Sequence, residues 1–471
     1  LIISQQAWST ADAAALAVQI ESTMTLVRRR QLAPVVEPVL LLPQANPTSD
    51  PREQGELLAA LGEISSREKI MLAGAAAVAG SNGNETIGFL MSPSGENLLA
   101  VRKVSPDLIT GIQEGSTSAL GLPKEFETAI TSIGQVGILP GEDILFPNLA
   151  RAITWAGAEV ILNPVAEVSD HLFPGRVNAR VARAWENTTF VAVAGAVGGT
   201  PEGASCSCLI DFNGETTAVG GDSNVLLPDL DIERLRRRRS AIVAVQPLHL
   251  RANLYADGYK KFIEERSESL RPPPQNRDAW AVEAERRQAL RRVAETSDRT
   301  EQYDALLVQT VGKIIQSDSD VVELRRQNIE HAMTLAGRMA SSPAIKLVAM
   351  GEFFMHGQGG HGFRSPETLA RLAIRYPGPE LQLLQDFASK HNAYVAGSSF
   401  EIDDKFPGHI FNSAFIIDDS GDLIHRYRKI QCADVWGSLP DTTPGSIYDR
   451  YLDTYGYDFL FPVADTPIGK L

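Results

Sequence analysis

Ser413-Ala414-Phe415-Ile416-Ile417, a turn through Gly421, and Arg426-Tyr427-Arg428-Lys429 decide the fold, because the chain carries the same figure twice. Upstream, Thr86-Ile87-Gly88-Phe89-Leu90-Met91 leads through Gly95 to Ala100-Val101-Arg102-Lys103. Gly95 to Lys103 and Gly421 to Lys429 span the same eight steps. Each figure is two extended runs around a turn glycine, ending on a lysine. A second echo pairs Thr131-Ser132-Ile133-Gly134-Gln135-Val136 with Thr466-Pro467-Ile468-Gly469-Lys470-Leu471. Two matches in the same order point to two copies of one plan.

Working outward, strands and helices alternate in each copy. In the first, Leu1 to Gln5 reads as a strand and Ser9 to about Arg30 as a helix opened by a capping box. Pro38 to Leu42 reads as a short buried strand, Gln54 to Arg67 as a helix and Ile70 to Val78 as a strand. Leu145 to Trp155 follows as a helix and Ala158 to Leu162 as a strand. The second copy repeats the opening: strand Tyr303 to Thr310, helix Asp318 to Met339, strand Ile345 to Met350. This alternation predicts α/β domains with helices packed on sheets. Arg271-Pro272-Pro273-Pro274 marks a stiff break, since proline fixes φ and removes a donor. A charged helix from about Asp278 to Ser297 follows it. The expected organisation is a first domain over 1–265, a linker over 266–302 and a second domain over 303–471.

The 471 residues, 44% hydrophobic and 22% charged, have ordinary globular composition. With 44 Lys+Arg against 58 Asp+Glu, the net charge of −14 disfavours nucleic acid and anionic membranes as partners. Arg236 to Arg239 is the one basic run, read as a solvated or paired helix start. No apolar stretch is long enough to span a bilayer, and no secretion signal opens the chain. Three cysteines, Cys206, Cys208 and Cys432, make no disulfide framework, so a cytoplasmic location is expected. The sequence starts without Met inside one apolar run and stops inside another, so it reads as a fragment.

Two charged residues of the second copy stand where apolar strands end. Glu352 follows Leu347-Val348-Ala349-Met350-Gly351, and Lys429 ends the hairpin. Strand ends of α/β sheets are where catalytic groups project. A carboxylate there can act as general base and a lysine can stabilise an oxyanion. Other signals read as structural. Cys432 lies three residues after Lys429, on the opposite face of an extended chain. Cys206-Ser207-Cys208 has no second ligand pair for zinc. Gly357-Gln358-Gly359-Gly360-His361-Gly362 matches a dinucleotide fingerprint in form. It stands too far from its strand and lacks the later acid, so it reads as a loop over the Glu352 site. His356 and His361 flank that loop. Glu401 and Asp434 are further candidates for a pocket wall.

Gly351-Glu352-Phe353, Pro377-Gly378-Pro379, Gly397 to Glu401 and Arg426 to Lys429 resemble the nitrilase, or carbon–nitrogen hydrolase, superfamily in order and character. In the first copy, Asp143 to Pro147, Gly157 to Pro164 and Arg183 to Asn187 are similar to stretches of the same family. The resemblance implies two α-β-β-α sandwich domains in tandem, the second incomplete. It also implies a Glu–Lys–Cys triad that needs neither metal nor organic cofactor. The cysteine thiolate attacks an amide or nitrile carbon. The glutamate moves protons, and the lysine stabilises the oxyanion and lowers the thiol pKa.

Carried over by position, Glu352 is the base and Lys429 the oxyanion lysine. The nucleophilic cysteine is missing from the chain. Its frame in the first copy, five residues after Val136, holds Gly141. In the second copy the frame extends past Leu471, to about position 476. The first copy holds Gln44 at the base position, Lys103 at the lysine position and Gly141 at the nucleophile position. Glutamine takes no proton at neutral pH and glycine has no side chain, so this copy reads as a pseudoenzyme domain. The resemblance therefore implies an intact protein that hydrolyses a small-molecule C–N bond, an amide in preference to a nitrile, while the 471 residues alone are inactive. The rival is a catalytically dead tandem binding or scaffold protein. For assembly, a homo-oligomer and an intrachain pseudo-dimer both stay open.

Overall fold

The computed structural model describes residues 1–9, 13–29, 38–45, 52–80, 83–105, 126–167, 173–196, 207–221, 225–241, 255–256, 258, 302–315, 320–357, 366–431 and 441–471. The chain divides into two compact units, Leu1–Leu248 and His249–Leu471. Most of the Pro-rich linker and the charged helix expected after it lie outside the described residues.

The first unit contains two six-stranded sheets. The strands are β1 (Ile2–Ser4), β2 (Val39–Gln44), β3 (Met71–Gly80), β4 (Gly83–Met91), β5 (Asn97–Arg102), β6 (Ala129–Thr131), β7 (Gly134–Ile138), β8 (Val160–Pro164), β9 (Phe190–Ala194), β10 (Cys208–Ile210), β11 (Thr216–Val219) and β12 (Val225–Leu226). One sheet runs β12-β1-β2-β3-β4-β5 and the other β11-β10-β9-β8-β7-β6. In each, a parallel trio (β1-β2-β3, β7-β8-β9) continues into antiparallel strands. Helices α1 (Ala13–Arg29) and α2 (Gln54–Glu68) link the first trio; α3 (Pro147–Trp155) and α4 (Phe173–Asn187) link the second.

The layers follow from strand alternation. Leu40 and Leu42 pack with Leu16, Ile20 and Leu61 of α1 and α2. Val39 and Leu41 face the other way and meet Val136, Ile138 and Leu162 of the second sheet. On that sheet's far face, Ile161 and Val193 pack with Leu149 and Ile153 of α3. The result is a helix–sheet–sheet–helix sandwich. Strands buried on both faces read as continuous apolar runs, which is why Val39-Leu40-Leu41-Leu42 shows no alternation. If each fully buried leucine contributes about 2 kcal/mol, such a strand contributes about twice what a one-sided strand does.

In the second unit the main sheet runs β13-β14-β16-β17-β18, with β15 beside β16. These strands are β13 (Asp304–Val308), β14 (Ile345–Met350), β15 (Ile374–Arg375), β16 (Tyr394–Ile402), β17 (Ile410–Ile417) and β18 (Leu423–Arg428). Helices α6 (Val321–Gly337) and α7 (Pro379–His391) cover one face, where Ile329, Ala332, Leu381 and Leu384 meet Val348, Val395 and Phe415. Asp320 caps α6, its carboxylate accepting from the Glu323 N–H. Of a second sheet, the described residues contain the hairpin of β19 (Asp465–Thr466) and β20 (Gly469–Lys470).

The repeated figure holds to the level of register. Ile87 stands opposite Arg102 as Ser413 stands opposite Arg428. Lys103 N–H donates to Thr86 O and Lys429 N–H to Asn412 O, both at 2.8 Å. The turn glycines Gly95 and Gly421 have φ of 89° and 94°. Each packs on a helix carbonyl, where a Cβ would come within 2.7 Å of Gly62 O or 2.9 Å of Gln385 O. Only glycine meets both demands. In the second echo, Thr131 Oγ1 donates to Gly134 O and Thr466 Oγ1 to Gly469 O.

Two local expectations are corrected. The helix expected from Leu145 begins at Pro147, after a 3-10 turn over Gly141–Leu145. Proline is suited to a first helical position, whose N–H has no intrahelical partner anyway. Arg236 to Arg239 lie in the latter half of α5 (Ile232–Ser240), not at its start. Asp231 is its N-cap, and acids at the front with arginines at the back match the helix dipole. Arg236 pairs with Glu159, and Arg239 donates to Thr188 O and Ala158 O.

Candidate functional site

In the second unit, β14 ends at Met350 and the chain turns at once, leaving Glu352 just past the strand end. The turn places Phe353 at φ 61°, a left-handed conformation that costs a bulky residue about 1–3 kcal/mol. It directs Phe354 into the helix-side core while Phe353 packs on Phe400. Lys429 stands immediately past β18, and Asn412 lies on β17 between the two. Glu352 Oε1 is 3.5 Å from Lys429 Nζ, the two side chains 50% and 42% exposed. Asn412 Nδ2 donates to the same Oε1 at 2.9 Å. The three line a cavity of about 580 Å³ together with Met350, Ser398 and Tyr427. The structure thus brings Glu352 and Lys429 together, and adds Asn412, which the sequence reading missed. Its only signal there was an amide inside the otherwise apolar run Ile410-Phe411-Asn412.

Other candidates fall elsewhere. Glu401 is fully buried and does not line the cavity. Its carboxylate accepts from Arg428, Arg426 and Ser413 Oγ, and Arg428 also binds Asp403. Alternation explains this, since Arg428 points opposite to Lys429. Asp434, Cys432, Cys206 and His361 lie outside the described residues, as does most of the glycine-rich loop. Burial pushes the Cys208 thiol up to about 11, opposite to what a thiolate nucleophile needs. Among the described residues no group of three or more acids, histidines or cysteines could hold a metal ion. None of their helices is long and apolar enough to cross a membrane.

His356 is 1% exposed and stacked on Phe400, and its ring nitrogens have no hydrogen-bond partner among the described residues. Burial, then the Arg325 guanidinium, pushes its pKa down to about 3. With the folded value below the unfolded one, the unfolded chain binds the extra proton. The associated stability is therefore complete above about pH 6.5 and falls toward pH 3, by about 1.4 kcal/mol per unit. Between pH 7 and pH 5 the wild type is expected to lose about 2 kcal/mol more than His356→Phe. Hydrogen exchange of α6 amides at the two pH values checks this; equal losses in both proteins would refute it.

In the first unit, Gln44 ends β2, Lys103 stands just past β5, and Gly141 opens the 3-10 turn at φ 57°. A Cβ on Gly141 would lie 3.1 Å from Lys103 Cε and 3.3 Å from Gln44 Oε1. The three positions converge, although no two are close in sequence. Lys103 Nζ is 2.6 Å from Glu142 Oε2, the side chains only 5% and 9% exposed. The surrounding loops are pinned. Asp143 accepts from the N–H groups of Val104 (2.9 Å) and Ser105 (2.7 Å), while burial raises its pKa. Asn163 Nδ2 donates to Leu139 O and Gly141 O, and its Oδ1 accepts from Arg180, which also binds Glu167.

Comparison with known proteins gives this geometry a family. Nitrilase homolog 2 of Dictyostelium discoideum is 25% identical over 111 residues, 24% of this chain and 32% of that protein. Omega-amidase NIT2 of Homo sapiens is 26% identical over 147 residues, 31% of this chain and 48% of that protein. A formamidase of Pseudomonas syringae pv. tomato is 27% identical over 130 residues, 28% of this chain and 32% of that protein. The matched stretch thus spans less than half the length of each of these relatives. Among solved structures, Saccharomyces cerevisiae Nit3 is 20% identical with a TM-score of 0.41, covering 51% of this chain and 92% of that one. The carbon-nitrogen hydrolase of Helicobacter pylori G27 is 19% identical with a TM-score of 0.44, covering 55% and 97%. The model of the carbon-nitrogen hydrolase family matches residues 3–240 and 313–471, one stretch in each unit. These two stretches exceed half of the sequence, and the chain belongs to the carbon–nitrogen hydrolase family.

Proposed function

We propose that the protein hydrolyses a non-peptide carbon–nitrogen bond of a small molecule, an amide in preference to a nitrile. Glu352 serves as base and Lys429 as oxyanion cation, with a cysteine encoded past Leu471 as nucleophile. The observation that carries this reading is the convergence in the first unit. There the frame that predicts a nucleophile at position 141 brings that position against the lysine and base positions, Lys103 and Gln44. The same frame, carried to the second unit, supports a third member beside Glu352 and Lys429. Formamidases and an omega-amidase among the relatives fit an amide substrate.

In this mechanism the thiolate sulfur bonds to the amide carbon while the carbonyl π electrons move to oxygen beside Lys429. The C–N bond breaks as Glu352, protonated by the thiol, passes that proton to the departing nitrogen. Glu352 then takes a proton from water, whose oxygen attacks the thioester; the C–S bond breaks, the acid leaves, and Glu352 returns the proton to the cysteine sulfur. Gln44 and Gly141 leave the first unit unable to run these steps, so its part is structural. The chemistry needs no cofactor and suits a reducing, cytoplasmic setting.

The test is to express the natural coding sequence continued past Leu471 and treat it with iodoacetamide. Mass spectrometry locates fast-reacting thiols while ammonia release is measured from a panel of small amides. A rapidly alkylated cysteine near position 476, whose loss abolishes ammonia release, is the expected result. Any other residue there would make both units pseudoenzymes and the protein a binding or scaffold protein.

A further inference from the structure

We propose that Asn412 is a positioning residue that holds the Glu352 carboxylate toward Lys429 and leaves its second oxygen for proton transfer. This rests on the functional reading above and deepens it.

Asn412 is itself immobilised. It is 7% exposed, its N–H donates to Thr442 O at 2.9 Å, and its C=O accepts from Lys429 N–H at 2.8 Å. One residue therefore fixes the backbone that carries Lys429 and, through Nδ2, the carboxylate of Glu352. Glu352 is half exposed and lies past a strand end, where a long side chain would otherwise sample several rotamers. Both the Asn412 amide and the Lys429 ammonium approach Oε1. An amide N–H donates but cannot take up a proton at neutral pH. Oε1 is thereby committed as an acceptor, and Oε2 is the oxygen available to exchange protons.

The first unit supplies an internal control. The shared hairpin register places Thr86 where the second unit has Asn412, each accepting the N–H of its lysine. Threonine has no amide to donate, and the base position in that unit is Gln44. At these two equivalent positions the second unit pairs an amide donor with a carboxylate, and the first unit has threonine and glutamine instead. A purely structural asparagine would spend its buried side chain on backbone groups. Here the bond goes to an exposed carboxylate, a kind of contact that contributes little to stability.

The geometry can be read without turnover. Carbodiimide activates Glu352, and the Lys429 amine displaces the urea to form a side-chain amide, which tryptic peptide mass spectrometry quantifies in the 471-residue chain. Asn412→Ala and the nearly isosteric Asn412→Asp, which cannot donate, are each expected to cut this cross-link several-fold, with thermal melts monitoring the fold. Cross-linking equal to wild type in both variants would overturn the proposal. So would a loss in Asn412→Ala alone, because that outcome is steric. In the protein continued past Leu471, Asn412→Ala is expected to lower kcat by about 10- to 100-fold with KM nearly unchanged. A wild-type kcat in a variant that cross-links poorly would also overturn it. If the continued wild-type protein releases no ammonia, the functional reading fails, while the cross-link alone still decides whether Asn412 orients Glu352.

Discussion

Glu352→Gln, made in the protein continued past Leu471, is expected to lower kcat/KM for amide hydrolysis by roughly 10²- to 10⁴-fold. The substitution keeps the size and the capacity to accept from Asn412, and removes only the ability to take and return a proton. It is also the state already present at Gln44 in the first unit. Lys429→Met should produce a loss of similar order, because the cation that meets the developing oxyanion is gone. The double variant should fall little further, since members of one catalytic unit are not additive. The Glu352–Lys429 pair is half exposed, so breaking it should change stability by under about 1 kcal/mol. Steady-state kinetics on both variants, with melting curves alongside, separates lost chemistry from lost fold. A Glu352→Gln protein within threefold of wild type would remove Glu352 from the mechanism.

Lys103→Met, in contrast, is expected to destabilise the first unit by about 3–5 kcal/mol, and Glu142→Leu by a similar amount. Lys103 occupies the position equivalent to Lys429, but its ammonium is buried against Glu142 at 2.6 Å. Removing Lys103 leaves the Glu142 carboxylate in a low-dielectric interior without that cation, and removing Glu142 leaves the buried ammonium with a weaker set of partners that includes the Asp143 charge. Combining Lys103→Met with Glu142→Leu should restore part of the loss, because the Glu142 carboxylate is then no longer buried without its cation, while buried Asp143 still loses the lysine charge beside it. Hydrogen exchange of β7 and β8 amides reports on this unit alone and measures all three variants. Single variants that lose less than about 1 kcal/mol would mean that water reaches the pair. The lysine position is thus expected to matter chemically in one unit and structurally in the other.

Much of the fold was legible because its signals are local. The eight-step spacing from turn glycine to lysine fixes hairpin length, and hairpin length fixes register. Pro38 to Leu42 reads as a short buried strand, and β2 is indeed buried on both faces. Glu352 and Lys429 stand out at strand ends and Lys103 in the repeated figure, while the family resemblance carries the frame to Gln44 and Gly141. Less legible were features set by neighbours distant in sequence. Asn412 meets Glu352 sixty residues away. Arg236 meets Glu159 across 77 residues, so the sequence leaves open whether the arginine run is solvated or paired. Glu401 looked like a pocket candidate until its three donors accounted for it.

By itself, the sequence determined that this protein is built from α/β units carrying one repeated hairpin, and which residues stand at the strand ends. Periodicity, turn glycines and proline act within a few residues, and those ranges are written in the chain. The tertiary structure alone decided which strand ends converge, which of the two lysines is buried and paired, and which amide reaches the carboxylate. Burial and long-range pairing depend on how sheets stack and cross, and one chain order is compatible with many such arrangements. Gln44, Lys103 and Gly141 are three separate positions in the sequence, and the stacking of two sheets makes them one site.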